Sequence, residues 1–229
     1  AAVVLFMAAI ASAFWYLRQE EISRELESVV RDTEITQQQM GLRLIENQEQ
    51  LVRLARELVT REISSQEFAQ QALTLTGDRP EITHITWLSA RRGVRASLRG
   101  PTQQADAISS GAWPGLHLPA EGTTDPSEAA FTWARDRRLP VYSEAFKDAG
   151  GRYVFQLHVP LIDRGSFAGT LVAEYAVETL VWRLVPEDVA RRHRITALGA
   201  DATALASTNT PMAGRAQERG ALVHEVPLT

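Results

Sequence analysis

Tyr153-Val154-Phe155-Gln156-Leu157-His158-Val159-Pro160, a turn at Asp163-Arg164-Gly165 and the run from Ala168 to Ala176 decide how this chain folds. Tyr153, Phe155, Leu157 and Val159 alternate with Val154, Gln156 and His158, the period of a strand whose side chains point to opposite faces in turn. The Asp-Arg-Gly turn brings the second run back beside the first as an antiparallel pair with mixed faces. Gly150-Gly151 opens the first strand, and Pro160 is expected to close it.

The same punctuation extends outward. Ile82 to Leu88 is rich in β-branched residues and alternates, and after Ser89 to Gly93 the segment Val94 to Leu98 offers a partner strand. Upstream of it a helix over Ser65 to Leu75 is expected, capped by Ser64 or Ser65, with Phe68, Ala72 and Leu75 on one face and a stop at Gly77-Asp78-Arg79-Pro80. From Gly100 to Pro126 there is much Gly, Pro, Ser and Thr and no period, as in a surface excursion that forms a lid or pocket wall. Ser127 to Arg138 reads as a short helix capped by Asp125 or Ser127. Val177 to Val185 and Val189 to Arg194 read as two more. Ile195 to Ala206 reads as a hairpin turning at Ala200-Asp201, and Ala221 to Val226 as a further strand. The class is α+β.

The N-terminal part has a different pattern. Ala1 to Leu17 carries no charge and runs without a break into a charged helical stretch reaching about Thr60. A membrane-crossing helix needs about 20 apolar residues, so Ala1 to Leu17 is expected to be a span trimmed at its start, with Phe14, Trp15 and Tyr16 at the water boundary. Ala11-Ser12-Ala13 imitates a signal cleavage site, but the bulky aromatics and the unbroken helix after it favour retention. A 4-3 stripe follows through Ile22, Leu26, Val29, Thr33, Thr36 and Met40. It continues through Leu44, Asn47, Leu51, Leu54 and Leu58 after a four-residue step. Thr33, Thr36 and Asn47 weaken it as a zipper seam, so the stripe serves self-association near the membrane, docking on the chain's own domain, or both.

The chain has 229 residues, 45% of them hydrophobic and 23% charged, with a formal net charge of -4, an ordinary globular balance. Its 24 basic residues are outnumbered by 28 acidic ones and form no stripe, so nucleic acid is not an expected partner. With no cysteine there are no disulfides, thiolate nucleophiles or cysteine metal sites, and an oxidising periplasm is permitted. His84, His117, His158, His193 and His224 lack metal-ligand spacing, and common catalytic motifs are absent, so no catalytic residues, metal or cofactor are expected.

Leu139-Pro140-Val141-Tyr142-Ser143, Phe155-Gln156-Leu157-His158-Val159-Pro160-Leu161 and Gly169-Thr170-Leu171-Val172-Ala173-Glu174-Tyr175 resemble the central and last strands of Cache sensors. These are extracytoplasmic relatives of PAS domains in bacterial transmembrane receptors. Ile195 to Ser207 resembles the opening hairpin of a second module, as in double-Cache receptors. The resemblance implies four segments. Residues 1–17 form a membrane helix and 18–62 a long membrane-proximal helix, while 63–185 form the distal sensor and 186–229 begin a proximal module. It also implies a homodimer in the bacterial inner membrane, with the bulk in the periplasm, binding a small carboxylate or amino-acid-like molecule. The first choice of output is a histidine kinase, with a diguanylate cyclase or chemoreceptor as alternatives. A ligand-free structural module and a membrane-anchored enzyme are rivals from other classes.

Glu174 stands where amino-acid-binding members of that family carry an aspartate for the ligand's amine. Its other reading is a solvent-facing residue or one paired with an arginine. The rest of that motif is not reproduced; Trp133-Ala134-Arg135 has its residue types in another order. Arg135 and Arg138, close to Tyr142, have the means to grip a carboxylate through paired N–H donors, or form a solvated face with Arg137 and Asp136. Phe155 and His158 lie on the central strand, His158 as a polar pocket residue or a partly exposed histidine without a role. Trp133 is a further ligand-site candidate, as part of an aromatic cage, though Trp87 and Trp133 both have the bulk of core residues.

Overall fold

A computed structural model describes residues 2–61, 63–100 and 121–208. The excursion expected over Gly100 to Pro126 falls mostly outside these residues, as does the expected strand at Ala221 to Val226.

The elements follow the sequence pattern closely. Helix α1 (Ala2–Thr60) and helix α2 (Ser65–Asp78) precede strands β1 (Ile82–Ser89) and β2 (Val94–Arg99). Helix α3 (Pro126–Arg137), short strands β3 (Val141–Tyr142) and β4 (Phe146–Lys147), and long strands β5 (Tyr153–Asp163) and β6 (Ser166–Ala176) come next. Helices α4 (Val177–Leu184) and α5 (Glu187–Arg192) lead to the hairpin of β7 (Thr196–Leu198) and β8 (Ala204–Ser207). The main sheet is antiparallel in the order β2-β1-β6-β5-β3, with β4 also on β5.

β5 passes through Pro160 and ends at Asp163, three residues beyond the expected stop. Pro160 pairs with Thr170 of β6, while β3 and β4 cover β5 only at Val141↔His158, Tyr142↔Leu157, Phe146↔Val154 and Lys147↔Tyr153. At Pro160 the outer side of β5 is an edge, where a residue without an N–H donor is tolerated.

One face of the sheet is apolar. Ile85, Leu157, Val159, Leu171, Ala173 and Tyr175 pack there against Leu51, Leu54 and Leu58 of α1 and Phe68 and Ala72 of α2. Leu51, Leu54 and Leu58 of the α1 stripe are buried in this contact, and Thr36, Met40 and Asn47 of the same stripe are buried too, so this half of it serves the chain's own domain. α2 starts with a reciprocal cap: Ser64 accepts from the Glu67 N–H, and Glu67 accepts from that of Ser64.

A polar tie fixes α1 in register on the sheet. Glu81, 1% exposed at the start of β1, accepts from Arg43 at 2.7 Å and Asn47 at 3.1 Å, and Arg43 also donates to the Asp78 carbonyl. Arg79 donates to Asn47 at 2.7 Å. Arg43→Met would leave a buried carboxylate with Asn47 as its remaining donor. Removing one partner of such a pair costs about 3 kcal/mol, a fall of about 10 °C in melting temperature for a chain of this size. Thermal unfolding of Arg43→Met and of Arg43→Met with Glu81→Gln checks this, the second change being expected to restore most of the loss.

Among the described residues no helix is long and apolar enough to cross a membrane. The uncharged stretch expected to be the trimmed span, Ala1 to Leu17, is helical from Ala2 onward as the start of α1. At the other end, Val177, Val181, Val185 and Val189 form a small second core with Met40, and Ala197, Leu205 and Ala206 of the terminal hairpin pack against it. Asp32 of α1, buried, pairs with Arg192 of α5 at 3.2 Å.

Candidate functional site

The second face of the sheet is buried but polar. Register places His84 of β1 opposite Glu174 of β6 and Glu174 opposite Gln156 of β5, so the three side chains line up across the central strands. The next rung is Thr86, Val172 and His158. Helix α3 covers this face because Asp125 caps it, accepting from the Ser127 N–H, and Pro126 occupies its first turn. Ser127, Phe131 and Ala134 then recur at helical spacing and point inward. Arg138 takes the left-handed conformation, φ 57°, that ends the helix.

The polar groups join in one chain of hydrogen bonds. Arg99 of β2 donates to His84 Nε2 at 3.1 Å, and His84 Nδ1 lies 3.2 Å from Glu174 Oε1. Thr83, at a bulge in β1, donates to the Glu174 carbonyl at 3.1 Å and to its carboxylate at 3.3 Å. Gln156 Nε2 donates to Glu174 Oε2 at 3.0 Å. Gln156 Oε1 accepts from Ser127 Oγ at 2.5 Å and lies 3.2 Å from His158 Nε2. At the upper end Arg92 pairs with Glu128 and lies 4.2 Å over the Phe131 ring, which meets His158 edge-on at 6.2 Å. Burial, with the charge of Arg92 second, pushes the His158 pKa down to about 3, so the ring is neutral.

Of the residues singled out in the sequence, Glu174 and His158 belong to this face. Glu174 is 3% exposed and His158 1%, so neither is the solvent-facing residue that was an alternative reading. Both faces of β5 and β6 are covered, so a polar residue at an alternate position is still inside. The others lie elsewhere. Tyr142 and Phe155 are on the apolar face. There the Tyr142 hydroxyl donates to the Leu44 carbonyl of α1 at 3.1 Å, and Phe155 stacks on Tyr175 with ring centroids 4.9 Å apart. Burial raises the Tyr142 pKa. Trp133 is 54% exposed under Arg137 rather than in the core, because it occupies the side of α3 opposite Phe131 and Ala134. Arg135 pairs with Asp136 at 2.8 Å, and Arg138 is exposed at the helix end.

His84, Ser127, Thr83, Arg99 and Thr170 were not singled out as site residues. The signal available was the alternation of His84 and Thr86 with Ile85 and Trp87 in β1. It gains meaning once β1 is placed beside β6. Among the described residues no group of His, Asp and Glu has the geometry of a metal site. An open groove of about 440 Å³ lies at the ends of β5 and β6 against β8, lined by Arg152, Tyr153, Glu178, Thr179 and Ser207 among others. None of the polar chain lines it.

No protein-family model matches the sequence, and no curated protein matches it. Solved structures match the fold. The sensory domain of the Campylobacter jejuni chemoreceptor Tlp3 with isoleucine bound is 13% identical, with a TM-score of 0.55 over 85% of this chain and 75% of that one. The ligand-binding domain of the Pseudomonas aeruginosa amino acid chemoreceptor PctC in complex with GABA is 15% identical, with a TM-score of 0.50 over 80% of this chain and 74% of that one. The ligand-binding domain of the Pseudomonas fluorescens chemoreceptor CtaA in complex with L-alanine is 11% identical, with a TM-score of 0.51 over 79% and 71%. The chain therefore has the fold of the ligand-binding domains of bacterial chemoreceptors, as the Cache resemblance implied.

Proposed function

We propose that this chain is the extracytoplasmic ligand-sensing region of a bacterial transmembrane receptor and that a small, amino-acid-like molecule binds on the polar face of the sheet. The observation that carries this reading is the buried line His84, Glu174, Gln156 and His158 across three central strands. A polar core of this kind lowers stability relative to an apolar one and is expected where a ligand is recognised. Solved domains of the same fold hold GABA, isoleucine and alanine, which supports the class of ligand.

In this reading the uncharged head of α1 leads to the membrane, the β7–β8 hairpin opens a proximal module, and the receptor acts as a homodimer through its long helices. A chemoreceptor output fits at least as well as a histidine kinase. The signal has a short path. Thr83, bonded to Glu174, is two residues from Glu81, which Arg43 and Asn47 of α1 hold. A shift of Glu174 on ligand binding thus acts on the bulge that carries the α1 anchor.

The test is melting temperature against millimolar amino acids, amines, carboxylates and purines. At least one class is expected to raise it, since a ligand that binds only the folded state stabilises by about 2.7 kcal/mol at a hundred times its Kd. Glu174→Gln should lose most of that rise, and Arg135→Ala should keep it. No rise with any class would favour the ligand-free module, for which the three donors already on Glu174 speak.

A further inference from the structure

We propose that Nδ1 of His158 is the acceptor that receives the ligand, and that Glu174 imposes this role on it through Gln156, so that the site takes a molecule offering an N–H or O–H donor there. This rests on the sensing reading and adds the chemistry of the contact.

The direction of each hydrogen bond follows from the first. Arg99 is a donor only, so His84 accepts at Nε2 and carries its proton on Nδ1, which donates to Glu174. A carboxylate that receives protons from His84 and Thr83 accepts also from its third neighbour, so the amide nitrogen of Gln156 faces it. The Gln156 oxygen is then turned toward Ser127 and His158. Since an oxygen only accepts, the nearby His158 nitrogen, Nε2, is the one that carries the proton. A neutral imidazole has one proton, so Nδ1 is a bare lone pair.

That lone pair is buried and has no partner among the described residues. The hydroxyl of Thr170, on the same face of β6, is in the same condition. His158 pairs with Val172 and meets the Phe131 ring, and Thr170 pairs with Leu88, so both adjoin the buried apolar cluster of Leu88, Phe131 and Val172. An acceptor buried without a donor carries the cost of its lost water. A ligand N–H or O–H relieves that cost; a carboxylate oxygen adds repulsion. The amine or amide end of a ligand is therefore assigned to His158, away from the arginines of α3.

The experiment is two-bond proton–nitrogen NMR on the chain labelled with 15N in its histidine rings, with melting temperature in parallel. The probes are L-isoleucine, GABA and L-isoleucinamide, with acetate as the donor-free control. The His158 signals are assigned by their absence in His158→Asn, or in His158→Gln if the first variant does not fold. In the free chain Nε2 is expected protonated and Nδ1 not. In Glu174→Gln the new amide donates to Gln156, the Gln156 amide reverses, and the proton moves to Nδ1. At least one donor-bearing probe should raise the melting temperature and shift the Nδ1 resonance toward its hydrogen-bonded position, while acetate does neither. A proton on Nδ1 in the free chain, or a tautomer unchanged in Glu174→Gln, overturns the relay. A probe that raises the melting temperature without moving Nδ1 overturns the subsite and leaves the sensing reading standing. Melting temperatures flat with every probe overturn both.

Discussion

Gly169→Ala is expected to abolish the cooperative folding of the main sheet or to lower its melting temperature by up to about 10 °C. Gly169 pairs with both Ser89 and Leu161 in the middle of the sheet at φ 153°, a value side-chain-bearing residues rarely adopt. A Cβ there would be driven into the carbonyl oxygen of Leu88, and the atoms in the way are backbone, which has no rotamer to escape into. Overpacking alone costs about 1–3 kcal/mol, and each kcal/mol moves the midpoint of a chain this size by about 2–4 °C. Separation of β1 from β6 would add the loss of His84 from Glu174. Gly41→Ala is the control. Gly41 lies in α1 with open space where its Cβ would be, so alanine should stabilise by up to about 1 kcal/mol. Thermal and urea unfolding of both variants give the comparison, and a Gly169→Ala chain that melts like the parent would refute the close approach of β6 to β1.

The second large effect is acid lability that begins well above the carboxylate range. Burial and the charge of Arg92 depress the His158 pKa from 6.5 to about 3. Between those values the unfolded chain binds a proton that the folded chain refuses. The stability is complete above pH 6.5 and declines as pH falls from 6.5 toward 3, by about 1.4 kcal/mol per unit, or about 2 kcal/mol by pH 5. Glu81 acts in a lower window. Burial opposes its charge, but Arg43 and Asn47 outweigh burial and hold its pKa below 4.5, so its contribution is present above that value and lost as pH falls through the folded one. Urea midpoints from pH 7.5 to 3 should decline from 6.5 onward in the parent. In His158→Asn the slope between 6.5 and 5 should flatten, while the loss below 4.5 stays. A parent curve that is level down to pH 5 would mean that His158 accepts a proton in the folded state.

The β5–β6 pair was legible because Tyr153 to Val159 alternates strictly and the Asp-Arg-Gly turn closes it locally, and α2 and α3 were legible from Ser64 and Asp125, whose caps act within a few residues. Less legible was anything that depended on distant neighbours. Alternation places Gln156 and His158 on one face without saying whether water or α3 covers it, and here both faces are covered. Trp133 has the bulk of a core residue, yet its position on α3 turns it outward. Tyr142, near the α3 arginines in sequence, is carried by β3 to the opposite face and spends its hydroxyl on α1. His84 looked isolated among five histidines because its partner, Glu174, is 90 residues away. The α1 stripe, ambiguous between self-association and docking, is decided from Thr36 onward by Leu51, Leu54 and Leu58, which β5 and β6 cover.

The most direct measurement is a crystal structure of the chain grown with the compound that raises its melting temperature most. That compound is expected on the polar face of β1, β6 and β5, with a donor on His158 Nδ1 and the Glu174 carboxylate within reach. Density in the groove between Tyr153, Glu178 and Ser207, or beside Arg135 and Arg138 on α3, with the line from His84 to His158 unchanged, would contradict it.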